Sequence, residues 1–273
     1  CYAEGMTKNP LKKLAAVFAL ITLASCSNST ETVTESTAAA TTDSVVTDLP
    51  VIAVTYSIIG DIVSQLVGDN ATVTVVIPDG QDPHDFQPSA KDIETINNAA
   101  LVVSNGLEFE EGLEEVLENI ADSGGNIFMV GDHITVRKIE DGDEHSDEHS
   151  DEHDDENEGD HHHGGGDPHL WLSPATMLEM LPALTTALSE ATGADLSAEA
   201  TDLTTKLQVL DGEVESIIKS LDECKLVSGH DEMGYFADRY GCEVIGVIIP
   251  SFTTTSEATA GELAELKKLV EQN

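Results

Sequence analysis

The sequence predicts an α/β protein built from parallel sheets that are flanked by helices. From Leu49 onward, short apolar runs typical of buried strands alternate with stretches of helical periodicity. The longest helical pattern, residues 196–221, follows this alternating region, and a second, shorter strand–helix segment comes after it. Strands separated by helices favour a parallel sheet, because a parallel neighbour is reached only through a long crossover connection.

Residues 49–195 are predicted to form the N-terminal lobe. Four runs in it predict strands: VIAVTY, ATVTVVI, ALVVS and NIFMV. Three runs between those strands predict helices: IIGDIVSQLVG, SAKDIETINNA and the amphipathic EFEEGLEEVLENIA. A further helix is expected from Pro174, a residue favoured in the first helical turn, to about Ala191.

The remaining residues predict a linking helix, 196–222, and part of a second lobe, 223–273. The apolar side chains of the helix recur at helical spacing, at Leu203, Leu207, Leu210, Val214, Ile217, Ile218 and Leu221. The second lobe is predicted to contain the strand KLVSG, a helix from Glu232 to Tyr240, the strand EVIGVII and a helix from Glu257. Because two strands make an incomplete sheet, we expect the C-terminal lobe to be truncated in this chain.

Residues 1–25 predict a secretory signal peptide rather than part of the fold. A lysine-rich region precedes a predominantly apolar run of twelve residues, LAAVFALITLAS, which is too short to span a bilayer. Residues 1–5 are interpreted as an upstream extension, since Met6 is a natural start. The peptide ends in a segment that resembles a bacterial lipobox, so we expect Cys26 to carry a lipid. The alternative is an ordinary signal peptide followed by a chance cysteine.

The segment that follows, residues 26–48, predicts a flexible tether. It is rich in Ser and Thr and lacks the large apolar residues that would offset the entropy cost of ordering. We therefore expect an extracytoplasmic protein that is lipid-anchored to the membrane, either in the periplasm or at the outer face of the cytoplasmic membrane.

The net charge of the chain argues against anionic partners. The chain has 52 Asp and Glu against 12 Lys and Arg, for a formal net charge of −40. Such a surface repels nucleic acid and anionic lipid headgroups and attracts cations.

Two cysteines, Cys224 and Cys242, each stand just before a predicted strand. If those strands are neighbours, the two sulfurs lie at matching ends and can form a disulfide in an oxidising compartment. Two free buried thiols are the alternative. The sequence has no Cys-x-x-Cys pattern, which argues against a cysteine zinc site.

An acidic, histidine-rich run interrupts the N-terminal lobe at residues 140–166. Residues 140–160 contain thirteen acidic residues and no Lys or Arg, and Asp-Glu-His recurs there every four residues. No apolar side chain is available to pack it, so we predict a disordered loop.

Four histidines lie outside this run; His133 is interpreted as an ordinary surface residue, and the other three are candidate metal ligands. His84 lies in a loop after a predicted strand, His230 directly follows another strand, and His169 lies between the acidic loop and a helix. Ligand sites in open α/β sheets form beyond the carboxyl ends of the strands, and three neutral imidazoles suit zinc. A lone loop histidine is ordinarily only hydrogen-bonded. Here, His84 and His169 both follow a stiff Asp-Pro step, which indicates a shared role and makes Asp82 and Asp167 candidates to orient the imidazoles.

The segments around these histidines resemble the metal-binding solute receptors of bacterial zinc and manganese ABC importers. The similar stretches are DPHDFQPS, DPHLWLSP, GHDEMGYFADRYG and IPSFTTTSEATAGELAEL, within a similarity that runs from about Val51 to the end of the chain. The resemblance implies two α/β lobes joined by a long rigid helix, with the metal between them. It also implies that His84, His169 and His230 are the ligands.

The resemblance further implies zinc as the metal. Manganese members of the family have a carboxylate at the third position, where this chain has His230, and nitrogen ligands favour zinc. Manganese remains the alternative. A fourth ligand is expected to be either water or an acidic residue beyond position 273. Protonation of the imidazoles is expected to end binding below about pH 6.

The acidic loop resembles those of zinc-specific members and is interpreted as an auxiliary, weak zinc-gathering segment. Its histidines are His145, His149, His153, His161, His162 and His163. The alternative is a solvated insertion without a selective role.

The resemblance therefore predicts a binding protein, not an enzyme. It is expected to act as a monomer that passes Zn²⁺ to an ABC permease powered by an ATPase. A zinc hydrolase would need an open coordination position and a general base, and the sequence has no His-Glu-x-x-His motif. A lipid-anchored adhesin with a structural metal is a second alternative.

Overall fold

The computed structural model describes residues 48–138 and 166–272, which form parallel sheets flanked by helices, so the predicted fold class is confirmed. The predicted signal peptide, Cys26, all but the last residue of the tether and nearly all of the acidic loop lie outside the described residues. Within the described ranges, no helix is both long enough and apolar enough to cross a bilayer.

Four parallel strands make the first sheet, in the spatial order β2-β1-β3-β4. The strands are β1 (Val51–Tyr56), β2 (Thr72–Ile77), β3 (Leu101–Ser104) and β4 (Ile127–Met129). The helices between them in sequence are α1 (Ser57–Val67), α2 (Ala90–Asn97) and α3 (Glu114–Asp122). The ends of all four strands agree with the apolar runs to within two residues.

Both faces of this sheet are buried at its two central strands, which explains why β1 and β3 are mostly apolar. In β1, Ile52 and Val54 pack into one core cluster, whereas Ala53 between them packs into the other. In β3, Val103 packs into the first cluster and Val102 into the second. Side chains alternate across a strand, so a sheet covered by helices on both faces requires apolar residues at every position.

The helix predicted for EFEEGLEEVLENIA begins later than its amphipathic pattern indicates. Residues Glu111–Leu113 form a 3₁₀ turn and α3 starts only at Glu114. Before them, Leu107 and Glu108 both have a φ of 58°, in the left-handed region. The prediction was wrong at this end because Glu110 does not face solvent. Its side chain turns into the core, a tertiary contact that periodicity does not reveal.

Two long helices follow the undescribed segment. α4 (Pro174–Thr192) begins at the predicted proline, where the Ser173 side chain accepts a hydrogen bond from the Thr176 amide. α5 (Ser197–Lys219) covers the predicted linking helix and is roughly 35 Å long at 1.5 Å per residue. Its Leu203 is buried, whereas Ile217 near its other end is 62% exposed, so only its first half packs on the N-terminal lobe.

The second lobe contains two parallel strands, β5 (Lys225–His230) and β6 (Glu243–Ile249). The helices α6 (Gly234–Tyr240) and α7 (Ala260–Gln272) start two and three residues later than predicted. Because β5 and β6 are parallel neighbours, the residues just before them lie side by side. Cys224 and Cys242 occupy those positions with their Cα atoms 4.7 Å apart, and the structure joins them in a disulfide.

Candidate metal centre

Three imidazoles from distant parts of the chain meet in the cleft between the lobes. One ring nitrogen from each of His84, His169 and His230 lies within 4.8 Å of the others. The ring centroids of His169 and His230 are 4.8 Å apart, and that of His84 is 5.6 Å from each of them. The Nε2 atoms of His169 and His230 are 2.9 Å apart. Such a cluster of neutral donors can hold one small cation.

His84 is presented by the loop after β2. The Asp82 carboxylate accepts a hydrogen bond of 3.1 Å from the His84 backbone amide, which shapes the Asp-Pro-His turn. The His84 ring stands edge-on to Phe109, with centroids 5.1 Å apart. Its buried Nδ1 atom has no hydrogen-bond partner among the described residues. Such a buried, unpartnered nitrogen is costly unless something else, such as a metal ion or water, satisfies it.

His169 is oriented by Asp167. Asp167 Oδ1 accepts a hydrogen bond of 3.0 Å from the His169 amide and lies 2.8 Å from the ring Nδ1. An imidazole whose Nδ1–H donates to a carboxylate keeps its Nε2 lone pair free, and this Nε2 is the atom that faces His230. The two Asp-Pro-His turns therefore differ. Asp167 forms hydrogen bonds with both the ring and the backbone of His169, whereas Asp82 forms one with the backbone of His84 and none with its ring.

His230 is the last residue of β5, at the carboxyl end of the second sheet. Ser228 Oγ donates a hydrogen bond of 2.6 Å to the His230 carbonyl oxygen and so holds the end of the strand. The Glu232 carboxylate lies 3.7 Å from His230 Nδ1. This carboxylate is a feature of the cleft that the sequence did not single out, although it follows His230 by only two residues.

An aromatic wall closes the N-terminal side of the cleft. The Phe109 ring contacts the rings of Tyr56 and Trp171 at centroid distances of 5.2 and 4.8 Å, and Trp171 stands edge-on to His169 at 5.5 Å. The cleft is about 290 Å³ in volume and is lined from both lobes, with Thr254 of the second lobe donating a hydrogen bond to Asp82 of the first. The wall buries the histidines and limits their rotation.

Burial changes the protonation of the cluster. Desolvation, together with the nearby His169, lowers the pKa of His84 to about 4, although Asp82 acts in the opposite direction. Desolvation likewise lowers the pKa of His230, against the opposing charge of Glu232. Both rings are therefore neutral at physiological pH, the form that binds a metal.

Metal binding by the cluster is expected to decline progressively on acidification and to persist below the pH at which ordinary imidazoles become protonated. Protons compete with the metal for an imidazole once the pH falls to the pKa of that imidazole. Because the pKa values of His84 and His230 are lowered, complete loss of metal binding is expected below the pH 6 predicted for ordinary histidines. A chelator-competition titration from pH 7.5 to 4, with circular dichroism to verify folding, measures this. Complete loss by pH 6 in a folded chain contradicts it.

One further histidine lies in the described residues, and it does not join the cluster. His133 is exposed and stacks on Phe128 at a centroid distance of 4.3 Å. The six loop histidines and Cys26 lie outside the described residues. Arg137 is a residue that sequence reasoning missed: its side chain pairs with the buried Asp167, and no local pattern signals that contact.

Comparison with known proteins identifies the family. The family model ZnuA, described as the periplasmic component A of a zinc-uptake complex, matches residues 52–273. The chain belongs to the ZnuA family. The family is one of solute-binding receptors rather than enzymes, which agrees with the prediction of a binding protein.

Relatives of this ZnuA-family chain include proteins named for both metals. The manganese-binding lipoprotein MntA of Halalkalibacterium halodurans is 24% identical over 226 residues, which cover 81% of this chain and 67% of MntA. The zinc-binding protein AdcA of Streptococcus pyogenes is 27% identical over 213 residues, which cover 76% of this chain. The chain spans only 41% of the length of AdcA. Zinc and manganese both occur in the family, so the family alone does not decide between them.

The fold agrees with that of a solved structure. The periplasmic zinc-binding protein TroA from Treponema pallidum superposes with a TM-score of 0.65 at 24% identity, covering 82% of this chain and 75% of TroA. At this level of identity the likeness supports the fold alone.

Proposed function

We propose that this protein is an extracytoplasmic Zn²⁺ receptor that binds one ion through His84, His169 and His230. The observation that carries the proposal is the convergence of three imidazole nitrogens within 4.8 Å in a cleft lined by both lobes. One histidine is held by a carboxylate, one by an aromatic ring and one by the end of a strand, so the donors are preorganised before the ion arrives.

The donor set favours zinc over manganese. Three nitrogen ligands leave one position of a tetrahedron, the coordination that Zn²⁺ commonly adopts, whereas Mn²⁺ prefers more oxygen ligands. Water or a carboxylate completes the set. Manganese is the second candidate, supported by the relative MntA and by the Glu232 carboxylate 3.7 Å from His230 Nδ1.

Release of the ion to a membrane permease is the proposed biological step. Membership of a family named for a zinc-uptake complex supports delivery to an ABC permease that an ATPase drives. Anchoring through a lipid on Cys26, action as a monomer, and zinc gathering by the acidic loop are part of the same proposal. A tethered weak chelator would raise the local zinc concentration without tightening the site itself.

A metal titration tests the proposed function. The purified chain is expected to bind one Zn²⁺ at pH 7.5 and to prefer it to Mn²⁺ in direct competition, whereas a triple variant with alanine at positions 84, 169 and 230 should lose tight binding. Bound ⁶⁵Zn should exchange with free metal, which an adhesin with a structural metal would not require.

Three results would count against parts of this proposal. A triple variant that binds Zn²⁺ as tightly as the wild type would show that the ion sits elsewhere. A preference for Mn²⁺ would assign the site to the second metal. Metal that never exchanges would favour a structural role.

A further inference from the structure

A buried carboxylate next to the cluster has a cationic partner that the proposed function does not use. Asp167 is fully buried, and its Oδ1 atom is occupied by the amide and the ring of His169. Its other oxygen, Oδ2, has no hydrogen bond within the described residues and lies 3.5 Å from Arg137 Nη1. Arg137 is the only Lys or Arg at ion-pair distance from Asp167 in the part of the chain that the structure describes. A buried carboxylate without a counter-charge is strongly disfavoured.

Arg137 also holds the second lobe. Its Nε atom donates a hydrogen bond of 2.8 Å to Asp238 Oδ2 in α6, and its backbone amide donates to the Tyr235 hydroxyl at 3.0 Å. The start of α6 approaches so closely that a Cβ atom on Gly234 would lie 2.5 Å from Asp167 Oδ2 and 2.6 Å from Arg137 Cζ. With glycine at this position the two side chains keep these contacts, whereas a larger residue would require the Asp167 or Arg137 side chain to move.

The backbone of Arg137 is fixed on the same side. Its carbonyl accepts a hydrogen bond of 3.0 Å from the Asp167 amide, and Lys138 forms an antiparallel bridge with Gly166. Gly166, which the sequence assigned to the disordered loop, is thus paired. Arg137 therefore contacts Asp167 through both its backbone and its side chain. Asp167 precedes His169 by two residues in the sequence.

We propose that Arg137 is a positioning residue that holds Asp167 against His169 and fastens this edge of the metal cleft to α6, and thereby controls how tightly the ion is retained. This inference rests on the proposed function. The planar guanidinium is suited to the task because its fork faces two carboxylates at once, whereas a lysine ammonium can pair closely with only one of them in this geometry.

Substitution of Arg137 tests the inference against a control that breaks a different arginine–carboxylate pair of α6. In Arg137→Gln, zinc affinity is expected to fall by about 10- to 100-fold, the usual effect of removing a group that orients a metal-bound histidine. In Arg239→Gln, which breaks the pair between α6 and Asp211 of α5, affinity should stay within about twofold of wild type, since Arg239 has no contact with the histidines.

Two further readouts separate positioning from a general loss of stability. The absorption spectrum of the Co²⁺-saturated Arg137→Gln variant should differ from wild type, because a rotated His169 changes the ligand field, whereas a merely less stable chain keeps the same spectrum when saturated. Arg137→Lys retains the charge and is the variant to use if glutamine prevents folding. It should restore only part of the affinity.

Each contrary outcome has one meaning. Arg137→Gln that binds Zn²⁺ as tightly as wild type overturns the inference. Equal losses in the Arg137 and Arg239 variants, or an unchanged cobalt spectrum, overturn it too, because either result assigns the effect to lobe stability. Full rescue by lysine overturns the two-carboxylate argument. A wild-type chain that binds no zinc overturns the proposed function, whereas a binding wild type with an unaffected Arg137→Gln variant overturns this inference alone.

Discussion

Replacing His169 by alanine is expected to weaken zinc binding by about 100- to 1,000-fold. A four-ligand zinc site binds with an apparent free energy of about 10–16 kcal/mol, so one ligand accounts for about 2.5–4 kcal/mol. His169 is the ligand candidate with the most constraints on it: it is buried, its Nδ1 is paired with Asp167, and its Nε2 faces His230. Its loss also leaves the Asp167 carboxylate buried without its ring partner. Competition with a chelator of known affinity at pH 7.5 measures the change.

The matched control is His133→Ala. His133 is also an imidazole of the N-terminal lobe, but it stacks on Phe128 and lies outside the cluster, so this change should leave zinc affinity near that of the wild type. Equal zinc affinity for His169→Ala and His133→Ala, in folded proteins, would remove His169 from the proposed ligand set.

Replacing Glu110 by alanine is expected to lower the free energy of unfolding by about 3 kcal/mol or more. Glu110 is 3% exposed, and its Oε1 atom accepts hydrogen bonds from the Thr55 hydroxyl and, at 2.8 Å, from the Asn105 amide. Alanine leaves the buried Asn105 amide without an acceptor, at about 1–3 kcal/mol, leaves the Thr55 hydroxyl only its longer contact of 3.4 Å to the Val103 carbonyl, and opens a cavity as well. Urea denaturation followed by circular dichroism measures the loss.

The control for this prediction is Glu110→Gln, which retains an acceptor oxygen of the same shape. It also has a distinct pH signature. Burial raises the pKa of Glu110, partly offset by its hydrogen bonds to Thr55 and Asn105. A carboxyl with a raised folded-state pKa binds its proton more tightly in the folded state, so its contribution to stability is lost as the pH rises through that pKa. The wild type should therefore lose some stability toward higher pH that the glutamine variant retains. An alanine variant as stable as the glutamine variant would contradict the assigned role.

The Glu110 network also reaches the metal cleft. The backbone amide of Asn105 donates a hydrogen bond to Glu110. The Asn105 side-chain Nδ2–H donates another, of 3.0 Å, to the carbonyl of Pro168, the residue directly before His169. Glu110 follows Phe109 in the sequence, and Phe109 packs against the ring of His84. The segment before α3, which is not helical as predicted, therefore supports the cluster on two sides. Phe109 forms part of the aromatic wall beside His84, and Glu110 provides the buried hydrogen bonds that lead to His169.

Local signals predict most of the secondary structure in this chain. The continuous apolar runs of β1 and β3 reflect burial on both faces of the sheet. At the start of α2, Ser89 and Asp92 form a capping box, and Pro174 opens α4. Each of these signals depends on residues within about one turn or one strand, so it can be read without knowing the tertiary structure.

The sequence by itself determined the α/β class, the positions of the strands and, through motif resemblance, which histidines to consider as ligands. Only the tertiary structure decided that Asp167 contacts a histidine ring while Asp82 holds a backbone amide, and that Arg137 bridges Asp167 to α6. The two Asp-Pro-His turns are alike in sequence and differ in their partners. The physical reason is that strands and helices follow short-range periodicity, whereas the orientation and charge partners of a loop side chain depend on residues tens of positions away that packing brings alongside it.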